Sequence, residues 1–177
     1  IDAVEIDDKA YEQTVENFEN SDWGDRLYCY NATFQEFATE IAEEQESYDL
    51  IVSNPPFYTD DFETKDDSRN KARFTTSLSF EDLISGVSKI LSEKGIFAVV
   101  IPFKEEDNFV ELSQKHHLFV NRICHVQGNL TSEIKRSLME FSFHSSEVKK
   151  EHLIIEKERH NYTDEYINLT KDFYLKM

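Results

Sequence analysis

The sequence predicts an α/β fold built on a mostly parallel sheet, and three observations carry that reading. Short apolar segments alternate with stretches of helical periodicity through the first hundred residues. One of them, residues 96–101, is apolar almost throughout, the pattern of a strand covered on both faces. From Leu118 the alternation gives way to three consecutive strand-like segments, 118–126, 134–143 and 152–156, joined by short polar turns. That change predicts an antiparallel ending to the sheet.

The elements follow in order. Residues 3–6 read as a strand, and Asp7 or Asp8 caps a helix whose apolar face carries Tyr11, Val15 and Phe18. Residues 20–24 form a turn. Residues 27–30 read as a second strand, followed by a helix on Phe34, Phe37 and Ile41. Residues 48–53 are a third strand, stopped by Asn54 and two prolines. Residues 58–79 are polar and aperiodic. A loop of about 20 residues inside a compact domain is unusual and often functional. Ser79 and Asp82 form a capping-box variant ahead of Leu83, Ile84, Val87, Ile90 and Leu91, and Gly95 is expected to close that helix. A further helix covers residues 109–116. The chain enters its first strand at Ile1 without a preceding Gly-rich turn, so a strand–loop–helix unit of about 30 residues is expected upstream.

Composition narrows the function. The chain has 177 residues, enough for a single domain with a real core. No apolar run is long enough to cross a membrane as a helix, and nothing resembles a signal peptide. Cys29 and Cys124 sit in apolar segments without zinc-site spacing, so buried thiols in a cytoplasmic, metal-free protein are expected. The 36 acidic against 19 basic residues give a net charge of −17. That balance argues against broad, nonspecific nucleic-acid binding but leaves room for a local basic groove.

The sharpest chemical signal is Asn54, Pro55, Pro56 and Phe57, directly behind the third strand. A Pro-Pro pair is expected roughly once per 400 positions at average composition. As structure alone it is a rigid strand terminator. As chemistry it offers more. An exocyclic amine on adenine is a poor nucleophile because its lone pair is delocalised into the ring. Two acceptors aimed at its N–H groups, the Asn54 side-chain oxygen and the Pro55 carbonyl, favour a pyramidal and more nucleophilic nitrogen. Prolines fix those acceptors before substrate arrives, and Phe57 offers a face on which a splayed base stacks.

Glu5 is the second candidate, because a carboxylate at a strand end can take both ribose hydroxyls of a nucleoside cofactor. Its bland reading is one surface acid among 36. Ile6 follows it, and Ala32 and Phe34 lie where they can flank an adenine ring, although Phe34 suits the core equally well. Lys65, Arg69, Lys71 and Arg73 concentrate four cations within nine residues of the long loop. They suggest phosphate contacts, against the alternative of a solvated loop with interleaved acids.

At residues 54–57 the chain resembles the amino-group methyltransferases with an (Asn/Asp/Ser)-Pro-Pro-(Tyr/Phe/Trp) motif. Residues 3–7, 48–57, 69–76 and the tail 161–177 together resemble the tRNA1(Val) (adenine(37)-N6)-methyltransferase family. That resemblance implies a single S-adenosylmethionine-dependent methyltransferase domain over 1–177, Rossmann-like, with a seven-stranded sheet whose first strand lies upstream. It implies that Glu5 and Ile6 bind the cofactor, that Asn54 to Phe57 hold the adenine with Asn54 also beside the cofactor, and that Arg69 and Arg73 face tRNA. The family's common acid near the cofactor adenine is Thr33 here. A monomeric enzyme is the corresponding expectation. The rival enzyme reading is methylation of a glutamine amide in a release factor, which the same two acceptors can serve. The rival from another class is a noncatalytic RNA-binding subunit that kept the fold.

Overall fold

In the computed structural model, which describes residues 1–55 and 78–175, side-chain caps set the starts of the first three described helices. Asp7 accepts from the backbone N–H groups of Lys9 and Ala10 at 3.1 and 2.9 Å and opens α1 (Asp8–Glu19). Thr33 and Glu36 form a full capping box at the head of α2 (Phe34–Glu43). The Ser79 hydroxyl accepts from Asp82 N at 3.1 Å and donates to Asp82 Oδ2 at 2.7 Å, the predicted capping-box variant, before α3 (Phe80–Ile90). These caps satisfy donors that a helix start leaves unpaired.

The described residues form two compact units. The first comprises 1–48 and 78–90. Strands β1 (Asp2–Glu5) and β2 (Tyr28–Asn31) pair in parallel, with Glu5 opposite Asn31. Phe37 and Ile41 of α2 and Leu83, Ile84, Val87 and Ile90 of α3 form its core, the apolar sets that periodicity predicts. The two helices approach closely at Gly86, where a Cβ would stand 2.4 Å from Phe34 Cε1. No side chain larger than hydrogen fits there without moving the ring. Tyr48 stacks near Phe37 and donates to Asp2 Oδ2 at 2.6 Å, and burial together with that bond raises its phenol pKa.

The second unit comprises 49–55 and 91–175. Its strands are β3 (Tyr48–Ser53), β4 (Leu91–Pro102), β5 (Phe119–Asn129), β6 (Ile134–Ser142), β7 (Lys149–Glu158) and β8 (Asn161–Tyr162), in the order β3-β4-β6-β5-β7-β8. Helix α4 (Glu106–Lys115) sends Phe109 against Phe97 and Phe141, ring centroids 6.3 and 5.6 Å away, and all three rings are fully buried. A short α5 (Asp164–Thr170) begins at Thr163.

Several expectations need correction. Gly95 does not close α3: the helix ends at Ile90 and Gly95 lies buried within β4. Leu91 turns inward and Ser92 Oγ donates to Asp49 Oδ1 at 2.7 Å, so side chains rather than a glycine set the boundary. Burial along β4 alternates instead of covering both faces. Phe97, Val99 and Ile101 are buried, whereas Ala98 and Val100 are half-buried. The ending of the sheet is only partly antiparallel. β6 pairs antiparallel with β4 and β5, but β7 pairs in parallel with β5. Asn121 Nδ2 donates to His144 O at 2.9 Å and to Ser146 Oγ at 2.7 Å, holding the crossing segment that makes this possible. The seven-stranded sheet is described as a two-stranded and a six-stranded sheet among the described residues.

Candidate active site

Glu5 is the last residue of β1 and half-buried. Its Oε1 accepts from Asp7 N at 2.9 Å, which orients the carboxylate as the chain turns into α1. Among the described residues its Oε2 has no partner. Beside it, Asn31 ends β2 and donates through Nδ2 to Asp8 Oδ1 at 2.8 Å. The Cys29 thiol pKa is raised, first by burial and then by the charge of Glu5. Among the described residues no cation pairs with Glu5, so this strand end presents a fixed carboxylate with a free acceptor oxygen. That acceptor chemistry fits a ribose diol, which offers two O–H groups.

The remaining predicted cofactor residues divide. Ile6 is 43% exposed beside Glu5. Ala32 is half-buried. Thr33 is occupied by the helix cap: its hydroxyl donates to Glu36 Oε2 at 2.7 Å and accepts from Glu36 N at 3.2 Å. The Thr33 hydroxyl and then the Thr33 backbone N–H, which donates to the same Oε2 at 3.1 Å, hold the Glu36 carboxyl below the usual range. Phe34 packs its ring against Gly86, the core alternative.

Asn54 follows β3 with an exposed side chain, and Pro55 is buried behind it. A buried proline after a strand end fixes the backbone that carries the carbonyl acceptor. Pro56, Phe57, Lys65, Arg69, Lys71 and Arg73 lie outside the described residues. Among the described residues no group of three or more His, Cys, Asp and Glu side chains has metal-binding geometry, and no helix is long and apolar enough to cross a membrane.

Sequence reasoning passed over two residues. Asn31 carried a signal, a polar side chain ending a strand just before a helix cap. Phe103 carried a better one, since an apolar strand ending in Pro and Phe repeats the pattern after β3.

No family model matches the chain. The tRNA1(Val) (adenine(37)-N6)-methyltransferase of Christiangramia forsetii is 52% identical over 177 residues, covering all of this chain and 73% of that protein. The protein of that name from Flavobacterium johnsoniae is 53% identical over 178 residues, covering all of this chain and 74% of the relative. That of Bacteroides fragilis is 41% identical over 175 residues. Among solved structures, a predicted O-methyltransferase of Agrobacterium tumefaciens matches 96% of this chain and 76% of its own, with a TM-score of 0.67 at 16% identity. The EcoKI M protein of a type I restriction enzyme matches 97% of this chain and 40% of its own, with a TM-score of 0.53 at 15% identity. The fold is that of the Rossmann-like methyltransferases.

Proposed function

Because the chain belongs to the tRNA1(Val) (adenine(37)-N6)-methyltransferase family, we propose that it methylates the exocyclic N6 of an adenine in tRNA, at position 37 of the anticodon loop. The observation that carries the reading is Asn54 and Pro55 at the carboxyl end of β3, the polar side chain exposed and the proline buried. Ligands of open α/β sheets sit beyond strand carboxyl ends.

S-Adenosylmethionine, when bound, supplies an electrophilic methyl group on a sulfonium. Glu5 holds the ribose of that cofactor, its carboxylate already aimed by Asp7 N–H. Ile6 and Ala32 line the nucleoside. Asn54 accepts one amine hydrogen of the target adenine through its side-chain oxygen, and the Pro55 carbonyl accepts the other. Both bonds strengthen as the nitrogen becomes pyramidal, so they stabilise the transition state more than the bound substrate. Phe57 stacks on the flipped base, and Lys65, Arg69, Lys71 and Arg73 contact phosphates. Catalysis is then mainly positioning. The enzyme acts as a monomer, in the cytoplasm where tRNA is matured.

The test is single-turnover methylation of an unmodified tRNA by the full-length protein, with the modified nucleoside identified by mass spectrometry. Asn54→Ala is expected to slow methyl transfer by roughly 10²–10³-fold, the loss seen when one preorganised polar contact to the reacting centre is removed. Affinity for tRNA should change far less. Near-normal turnover in that variant would sink the mechanism. Methyl groups on a protein glutamine in place of adenine would sink the RNA reading.

A further inference from the structure

Phe103 opens a short 3-10 turn directly after β4 and is 39% exposed. A single exposed apolar ring is ordinary. The support beneath it is not. The ring meets His125 of β5 edge-on, with centroids 5.0 Å apart and planes at 85°. His125 Nε2 lies 2.8 Å from Glu106 Oε2, and the fully buried Ser137 hydroxyl donates to the same carboxylate oxygen. The Glu106 side chain is only 15% exposed. Burying a carboxylate is costly unless its lone pairs are used, and this one is used twice, with one bond fixing an imidazole. Ile101, Ser137 and His125 occupy one row across β4, β6 and β5, so the anchor is built into the paired strands of the sheet. Pro102, buried with φ −59°, fixes the backbone that delivers the ring. The result is an aromatic surface that solvent reaches and that the structure holds in one orientation.

No step of the proposed methyl transfer uses this ring. Its place in the chain nonetheless suits the substrate. β3 and β4 are neighbours in the sheet, Asn54 follows one and Phe103 the other. In the parallel arrangement that the alternating pattern predicts, both residues lie at the same edge. The net charge of −17 adds an independent argument. A protein this acidic gains little from the general attraction of phosphates. Base stacking on an aromatic face gives RNA affinity that does not depend on that attraction.

The geometry points to Phe103 as a stacking platform for a nucleobase of the RNA substrate, one splayed out next to the target adenine. This rests on the reading that the chain methylates adenine in tRNA. The ring is a binding residue, and its support by His125, Glu106 and Ser137 removes the freedom that would otherwise be lost when the base arrives.

The experiment uses the full-length protein and unmodified tRNA, with affinity measured over a range of salt concentrations. Phe103→Ala should weaken binding roughly 5- to 150-fold at every salt concentration while leaving the salt slope and the S-adenosylmethionine affinity unchanged. Phe103→Leu keeps apolar bulk and loses the π face, so it should bind as weakly as Phe103→Ala. Phe103→Trp should bind like the parent, and its added indole emission should be quenched by tRNA. Unchanged affinity in Phe103→Ala, or full affinity in Phe103→Leu, would overturn the assignment. So would equal losses in Phe103→Ala and Phe103→Trp. If the parent makes N6-methyladenine in tRNA and Phe103→Ala binds normally, only this inference falls. If the parent makes no N6-methyladenine, the underlying reading falls with it.

Discussion

Glu5 allows the cofactor assignment to be tested in graded steps. Its Oε1 is already engaged by Asp7 N at 2.9 Å, and its Oε2 has no partner among the described residues. Glu5→Ala removes every ribose contact from this position. A hydrogen bond to a charged group is worth about 1.5–3 kcal/mol, so the affinity for S-adenosylmethionine should fall roughly 10- to 150-fold. Glu5→Gln is the more informative change. Its amide oxygen can replace one acceptor, but its NH2 cannot accept from a hydroxyl, and the charge is gone. A loss between those of the parent and Glu5→Ala is expected. The fold should tolerate both changes, because the Asp7 N–H released in Glu5→Ala is solvent-exposed and water replaces its partner. Isothermal titration calorimetry on the full-length protein, with melting temperatures recorded alongside, measures both. Unchanged affinity in Glu5→Ala refutes the assignment. Equal affinity in Glu5→Gln and the parent refutes the role of charge.

Thr33→Ala should lower stability by about 1 kcal/mol, the usual cost of losing a helix N-cap, while cofactor affinity measured by the same titration holds. A large affinity loss with an unchanged melting temperature would return Thr33 to the cofactor site. Glu151 gives a pH signature. Its carboxyl is held below the usual range, first by Lys149 and then by Arg122. A carboxyl lowered on folding stabilises the protein above its unfolded pKa of about 4.3, and that contribution is lost as pH falls through the lower folded value. The melting temperatures of the parent and Glu151→Gln should therefore differ above about pH 5 and converge as the solution becomes more acidic. A constant difference across the whole range would exclude the linkage.

The sequence made the elements legible wherever one local rule governs. Ser79 with Asp82 and the apolar face of residues 83–90 both follow from spacing, and the structure realises each. The capping box also shows where sequence reasoning stops. Thr33 was expected beside the cofactor adenine, and its spacing to Glu36, which makes it a helix cap in the structure, was passed over. Phe34 was open between ligand and core, and the structure sets its ring against Gly86, some fifty residues further along the chain. Strand pairing was less accessible. Nothing in residues 149–158 says that they pass β6 to lie parallel to β5, in a crossing whose segment Asn121 bonds from another strand. Gly95 misled because a glycine after a helical pattern usually marks a C-terminus, while here tertiary packing of Leu91 ends the helix four residues earlier.

The position of β6 between β4 and β5 has a consequence for the order of assembly. β5 and β6 form a hairpin closed by a turn over residues 130–133, in which Asn129 Oδ1 accepts from Ser132 N at 2.9 Å. Closing so short a loop costs little entropy, whereas bringing β4 onto β6 closes a far longer one. Local pairing should therefore form early and act as the template on which β4 aligns. Until it does, Ser137 and His125 already share a row, but Glu106 and Phe103 have not reached them. The aromatic ring at the end of β4 would then be among the last features to settle. Slowing β4 docking should delay it while leaving the hairpin formed.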